Sequence, residues 1–222
     1  MPSTIYLIRH AESAHNPPPS QPPSPPSSVA VILTSPLTRT IQTTLAGFGA
    51  ILDSRGAKLV LDPDLQERSD LPCDTGSEVE ELRAKFPELE FGGLGEGWFV
   101  KEGPYAADDE TVRKRAAGVR RRLKELADRL GAEGGERKDI VVVTHGVFMK
   151  FLAEDEGIDL PKAGWKAYRI EGRDGEDGPV IMSVFGIEYP YPYACSVLDR
   201  QLAEQEPAYV LGTIRREDWE RR

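Results

Sequence analysis

The chain has 222 residues, 37 of them acidic and 28 basic, giving a formal net charge of −9, with 39% hydrophobic and 29% charged residues. That length suits one large α/β domain or two small ones, and the acidic balance argues against general binding to nucleic acid or anionic membranes, which use a basic face. No apolar run approaches the roughly 20 residues that cross a bilayer, and no basic region followed by an apolar core marks the start. Cys73 and Cys195 are the only cysteines, too few for a disulfide framework or a cysteine-built zinc site, so the expected setting is a reducing intracellular one, the cytoplasm.

In chain order, "TIYLIRH" (4–10) is the first short apolar run. It ends on a polar cluster of Arg9, His10, Glu12, His15 and Asn16. "PPPSQPPSPPSS" (17–28) follows, a low-complexity tract that reads as an exposed polyproline-like loop rather than an SH3-type or WW-type ligand. "VAVILTS" (29–35), "KLVLD" (58–62) and "DIVVVTHG" (139–146) are further runs rich in β-branched residues. Continuous apolar runs of this length suit strands buried on both faces of a parallel sheet, and "PVIMSVFG" (179–186) is a candidate fifth strand.

Helical patterns lie between the runs. Leu37, Ile41, Leu45 and Phe48 recur about every four residues. Thr34 or Ser35 is the expected cap, Pro36 suits the first turn, and Gly49 follows the end. Ser77 and Glu80 have the spacing of a capping box for "SEVEELRAKF", which Pro87 ends. The longest helix starts near Asp109; Val112, Ala116, Val119, Leu123, Leu126 and Leu130 form its apolar stripe, and Gly131 is a candidate stop. Its basic stretch "RKRAAGVRRRLK" (113–124) has the composition of a nuclear-entry or nucleic-acid patch. In an acidic chain without interleaved aromatics, it reads instead as the solvated face of the helix. Alternating strands and helices predict a doubly wound α/β sheet with right-handed crossovers.

His10 and His145 each fall at the carboxyl end of a predicted parallel strand, and Arg39 lies just beyond a third such end. Ligands bind in the crevice at those ends of an open α/β sheet, so Arg9, His10, Arg39 and His145 are expected to converge. A neutral imidazole is a good nucleophile toward phosphorus. Phosphoryl transfer needs positioning and positive charge on the equatorial oxygens, which arginine forks match. A second, charged histidine would supply another donor, and a carboxylic acid would protonate the leaving oxygen and later activate water. His15 has no partner residues at metal-ligand spacing and reads as a loop residue. Trp98 and Trp165 read first as core aromatics and second as pocket walls.

These motifs resemble the histidine phosphatase superfamily, which includes cofactor-dependent phosphoglycerate mutases. The family opens with a strand and Arg-His-Gly; here "LIRHAES" puts Ala11 at the glycine position. The resemblance implies that His10 is the phosphohistidine nucleophile and Arg9 a phosphate clamp, with Asn16 also touching phosphate. "TSPLTRTIQT" matches Ser-Pro-x-x-Arg-x-x-x-Thr and makes Arg39 the second clamp. "VVVTHGVF" supplies the second histidine, His145, with the Gly146 amide beside it, and "LQERSDL" points to Glu67 as proton donor. Asp74, in "LPCDTGS", is the rival acid.

The implied fold is a three-layer α/β/α arrangement with a mostly parallel central sheet, phosphoglycerate mutase-like, over a single domain at 1–222. The implied function is a phosphatase that hydrolyses a small phosphomonoester through phosphohistidine, with no metal, cofactor, nucleic acid or membrane. "ERSD" (67–70) lacks the Glu-Arg-His-Tyr-Gly continuation of glycolytic mutases, which places mutase-type transfer second. After the asparagine, family members continue into Asp-x-x-Leu-Thr-x-x-Gly-x-x-Gln and a helix, whereas this chain has only the Pro/Ser tract at 17–28. That departure keeps a competing class open, a non-catalytic phosphate-binding or scaffold protein.

Overall fold

The computed structural model describes residues 2–11, 28–54, 56–173 and 178–184. Asn16, His15, Cys195 and the Pro/Ser tract through residue 27 lie outside the described residues. Six strands form one sheet: β1 (Ile5–Arg9), β2 (Val29–Thr34), β3 (Lys58–Leu61), β4 (Asp139–Thr144), β5 (Trp165–Glu171) and β6 (Val180–Ser183). Their order across the sheet is β3-β2-β4-β1-β5-β6. β1 to β4 run parallel, whereas β5 pairs antiparallel with β1, and β6 with β5.

The four apolar runs become the four parallel strands because both of their faces are covered. Ile5, Leu7, Leu33, Ile140 and Val142 pack against Val112, Ala116, Val119 and Leu123 of α3 (Asp109–Glu133) and Phe148 and Leu152 of α4 (Gly146–Ala153). The alternate residues Tyr6, Ile8, Ile32, Val141 and Val143 pack against Phe48 and Ile51 of α1 (Thr38–Asp53). The result is the expected three-layer α/β/α arrangement with a mostly parallel sheet. A third cluster joins Leu37, Ile41 and Leu45 of α1 to Leu82 of α2 (Val79–Lys85) and to Phe86, Phe91, Leu94 and Trp98 beyond it. No helix among the described residues is long and apolar enough to cross a membrane.

Several local expectations are corrected. β5 gave no continuous apolar run because Lys166 and Arg169 interrupt it; an antiparallel strand near a sheet edge needs only alternation. α1 runs past Gly49 to Asp53, because Ile51 still reaches the core. Its N-cap is Leu37, without a side-chain cap bond. The Ser77–Glu80 capping box does not form: α2 begins after Glu78 with no side-chain cap bond, and buried Leu82 and Phe86 hold the segment in place. α3 passes Gly131 and stops at Gly134, whose φ of 65° takes the left-handed conformation that glycine adopts without strain. Its start is as expected, with Asp108 accepting from the Thr111 N–H at 2.9 Å.

The basic stretch of α3 is not wholly a solvated face. Arg115 and Arg120 are buried. Arg115 donates to the carbonyls of Asp64 and Gln66 at 3.1 and 2.8 Å and lies over the Phe148 ring. Arg120 donates to the Phe151 carbonyl at 2.9 Å and to Glu154 at 2.9 Å, closing the carboxyl end of α4.

Trp98 packs as a core aromatic, 2% exposed. Gly76 lies flat against it: a Cβ built there would sit 2.2 Å from the indole. Gly76→Ala is therefore expected to lower stability by about 1–3 kcal/mol, the usual cost of overpacking, as read from the midpoint of urea unfolding.

Candidate functional site

The strand register builds the site. Arg9 pairs with Thr144 across β1 and β4, and Thr34 pairs with Val143 across β2 and β4. β1 and β4 thus end level, with β2 one residue short of them, and the next residues, His10, Ser35 and His145, emerge on neighbouring strands with His145 in the middle. Two backbone bonds extend the register by one step, from the His10 N–H to the Thr144 carbonyl and from the Ser35 N–H to the Val143 carbonyl, both at 3.0 Å. The two imidazoles stand with their centroids 5.0 Å apart.

α1 delivers Arg39 between them. Its Nε donates to His10 Nε2 at 3.1 Å, and its Nη2 lies 2.8 Å from His145 Nδ1. Arginine can only donate, so both ring nitrogens act as acceptors. His10 Nδ1 is 2.7 Å from the Ala11 carbonyl, which can only accept, so Nδ1 carries the proton and Nε2 keeps its lone pair. His145 Nε2 carries its proton toward Ser35 Oγ at 2.9 Å. Thr43, last in the Ser-Pro-x-x-Arg-x-x-x-Thr pattern, accepts from the Ala11 N–H at 3.0 Å and donates to the Arg39 carbonyl at 2.7 Å. One hydroxyl therefore ties the loop that orients His10 to the helix that carries Arg39.

Both rings are held neutral. Burial pushes the His10 pKa down to about 4; the Ala11 carbonyl opposes this, the Arg39 and Arg9 charges add to it, and Asp74 opposes it. His145 is fully enclosed and lies well below the ordinary histidine value, first through burial and then through Arg39 and other nearby positive groups. The charged second histidine expected from sequence is therefore neutral in this arrangement. The unfolded chain takes up these protons near pH 6.5 and the folded chain does not, so both groups stabilise the fold above that pH. The His10 contribution is lost as the pH falls from 6.5 toward about 4, and the His145 contribution changes in the same direction. The melting temperature is expected to drop across that window, and to drop less steeply for His10→Ala, as calorimetry at stepped pH would register.

Arg39 is also tied to the segment after β3. Its Nη2 donates to Asp74 Oδ1 at 2.7 Å, and its Nη1 donates to the Cys73 carbonyl. Asp74 Oδ2 accepts from Ser69 Oγ at 2.5 Å. Glu67, the acid expected from sequence, is buried at the start of α4. Its Oε1 accepts from the Phe148 and Arg68 amides at 2.9 and 2.8 Å, and its Oε2 from the Val147 amide at 3.2 Å. A carboxylate at a helix N-terminus satisfies otherwise unpaired N–H groups.

Arg9 stands on the other flank. Its Nη1 donates to the Leu160 carbonyl at 2.6 Å and pairs with Asp159 at 3.4 Å, while its buried Nε has no hydrogen-bond partner among the described residues. The guanidinium lies against Gly146: a Cβ there would come 3.1 Å from Arg9 Cζ. Lys101, which the sequence reading passed over, donates to the Glu67 carbonyl at 2.6 Å. Burial, then the Arg115 charge, pushes its pKa down to about 8. No local pattern marks it, because it reaches the site from a connection 34 residues beyond Glu67. Of the residues expected from sequence, then, the fold brings His10, Arg39 and His145 into contact and places Arg9, Gly146 and Glu67 around the start of α4. No cluster of three or more metal-ligating side chains occurs among the described residues.

Fold and site together define an open-sheet α/β protein with two arginines and two histidines gathered at the carboxyl ends of its parallel strands. The chain belongs to the histidine phosphatase superfamily (branch 1), whose family model matches residues 25–171. That match takes in Arg39, Glu67 and His145 and starts beyond His10, whose place in the site rests on the strand register. The sheet and its flanking helices agree with the phosphoglycerate mutase-like fold expected for that family.

A protein of Schizosaccharomyces pombe named "Probable phosphatase" is 27% identical over 141 residues, covering 60% of this chain and 61% of its own length. The alignment thus spans less than two thirds of that relative. Among solved structures, a phosphoserine phosphatase from Entamoeba histolytica in complex with 3-phosphoglyceric acid is 17% identical with a TM-score of 0.42, over 83% of this chain and 98% of that one. A phosphoglycerate mutase from Bacillus anthracis is 13% identical with a TM-score of 0.44, over 82% and 92%.

Proposed function

We propose that this protein is a phosphatase that hydrolyses a small phosphomonoester through a phosphohistidine on His10, without a metal ion. What carries the reading is the proton arrangement on His10: Nδ1–H is committed to the Ala11 carbonyl, leaving the Nε2 lone pair directed at the Arg39 donor. A substrate phosphate would take the place of that contact, accepting from Arg39 while Nε2 attacks phosphorus and the ester oxygen departs on the opposite side. Arg9, whose Nε has no partner among the described residues, and the Gly146 amide at the start of α4 are the further donors on this reading. Asn16 keeps the phosphate-contact role that the resemblance gives it. His145 holds Arg39 through its Nδ1 lone pair and can turn that nitrogen into a donor only by gaining a proton. Water then attacks the phosphohistidine, releasing phosphate and restoring the imidazole.

Membership of the superfamily supports this reading, as does a relative named as a phosphatase. We take residues 1–222 as one unit of this kind, with the tract at 17–28 standing where relatives carry a helix. Turnover of an aryl phosphate with and without a chelator is the direct test, with equal rates expected. Loss of turnover that an added divalent ion restores would overturn metal independence. Phosphate binding without turnover would leave the non-catalytic reading in its place.

A further inference from the structure

Glu67 follows a single short 3-10 turn, Pro63–Leu65, and belongs to no helix or strand of its own. Its backbone is nevertheless held at every step. The Asp64 carbonyl accepts from Arg115 Nη1 at 3.1 Å and the Leu65 carbonyl from Thr144 Oγ1 at 2.7 Å. The Gln66 carbonyl accepts from Arg115 Nη1 at 2.8 Å and the Glu67 carbonyl from Lys101 Nζ at 2.6 Å. Four successive carbonyls thus take side-chain donors from α3, from β4 and from the connection that precedes α3. Arg115 supplies two of the four.

Arg115 also reaches the other side of Glu67. Its guanidinium lies over the Phe148 ring, 4.6 Å from the centroid, and the Phe148 N–H donates to Glu67 Oε1 at 2.9 Å. Arg115 is 6% exposed, and its Nε and Nη2 have no hydrogen-bond partner among the described residues. Burying a guanidinium with unpaired donors is costly, and an apolar side chain would fill the same space without that cost. Asp64 and Glu67 are the first carboxylates whose charge acts on it. Within the Glu67 carboxylate the two oxygens are held unequally. Oε1 accepts from Phe148 and Arg68 at 2.9 and 2.8 Å, whereas Oε2 accepts from Val147 at 3.2 Å. Oε2 is therefore the oxygen that can turn toward a leaving group while Oε1 stays anchored.

We propose that Arg115 is a positioning residue for the acid step, clasping the turn and the Phe148 ring so that Glu67 stays aimed at the leaving oxygen. This rests on the phosphohistidine reading above and on the proton-donor role that the family resemblance gives Glu67. Arg115 acts from behind the carboxylate, through the backbone on one side and through Phe148 on the other. Thr144 and Lys101 complete the brace at the two carbonyls that Arg115 does not hold.

The experiment compares an aryl phosphate, whose leaving group needs no proton, with an alkyl phosphate, whose leaving group does, in the full chain. Arg115→Met should lower kcat/KM for the alkyl phosphate by about 10-fold more than for the aryl phosphate. Glu67→Gln should show the same selectivity at about 10²-fold. In the Glu67→Gln background, Arg115→Met should add no further selectivity, because both changes act through one carboxyl. Arg115→Lys keeps the charge but not the fork, so its substrate ratio should fall between those of the unaltered chain and Arg115→Met. That smaller selective loss serves as the test if the methionine variant does not fold.

Equal slowing of both substrates by the Arg115 variants, or selectivity that adds in the double variant, would overturn the assignment. An even response to the two substrates in Glu67→Gln would overturn the acid role and this assignment with it, and leave the phosphohistidine reading standing. Full turnover by His10→Ala, or none by the unaltered chain, would instead overturn the phosphohistidine reading and all that rests on it.

Discussion

His10→Ala should abolish turnover and phosphoprotein formation together while leaving the fold in place. When the unaltered chain is mixed with a phosphomonoester and quenched in base, the trapped label should be acid-labile and base-stable, and peptide mapping should put it on His10. The expectation follows from what the side chain touches. Its ring makes one bond to a local carbonyl and one to Arg39, and it sits beyond the last residue of β1 rather than within the apolar layers. Truncation removes no core methylene, so the far-ultraviolet spectrum should not change. Removing a covalent nucleophile leaves only binding and charge stabilisation, so turnover should fall by at least about 10³-fold. A label on His15, or turnover that survives in His10→Ala, would remove the mechanism.

How much of this was legible in the sequence depends on how local each feature is. β1 to β4 were readable because a strand covered on both faces must be a continuous apolar run, and such a run is visible by itself. His10 and His145 were readable as a pair because each directly follows such a run. Ser35 was read as a cap and turns out to hold His145, which requires knowing that β2 and β4 are neighbours. The burial of Arg115 and Arg120 was illegible for the same reason: their partners are carbonyls more than 30 residues away. A charge run reads as a solvated face until those carbonyls are placed. Lys101 and the Ser69–Asp74–Arg39 chain come from connections with no periodicity, where only the folded geometry decides what meets. The helix ends moved for a simpler reason: burial of Ile51 in α1 and of Leu82 in α2 outweighed the glycine and capping signals, each of which contributes only about 1 kcal/mol.

Arg39→Met should be nearly as damaging as loss of the nucleophile, lowering kcat/KM by about 10³-fold or more, and Arg39→Lys should recover little of it. One guanidinium meets His10, His145, Asp74 and the Cys73 carbonyl, a set of contacts that a planar fork makes from a single position. An ammonium group offers three donors from one point and does not reach two imidazoles and a carboxylate at once. The methionine keeps much of the stem's volume against α1, so a loss of activity without a matching loss of melting temperature would separate charge from packing. The substitution also removes a positive charge that helps hold both histidines neutral, so the pH at which His10 and His145 titrate should rise. Nuclear magnetic resonance of the imidazole protons would follow that rise directly. Unchanged histidine titration in Arg39→Met, together with unchanged phosphate affinity, would mean that Arg39 does not organise the site.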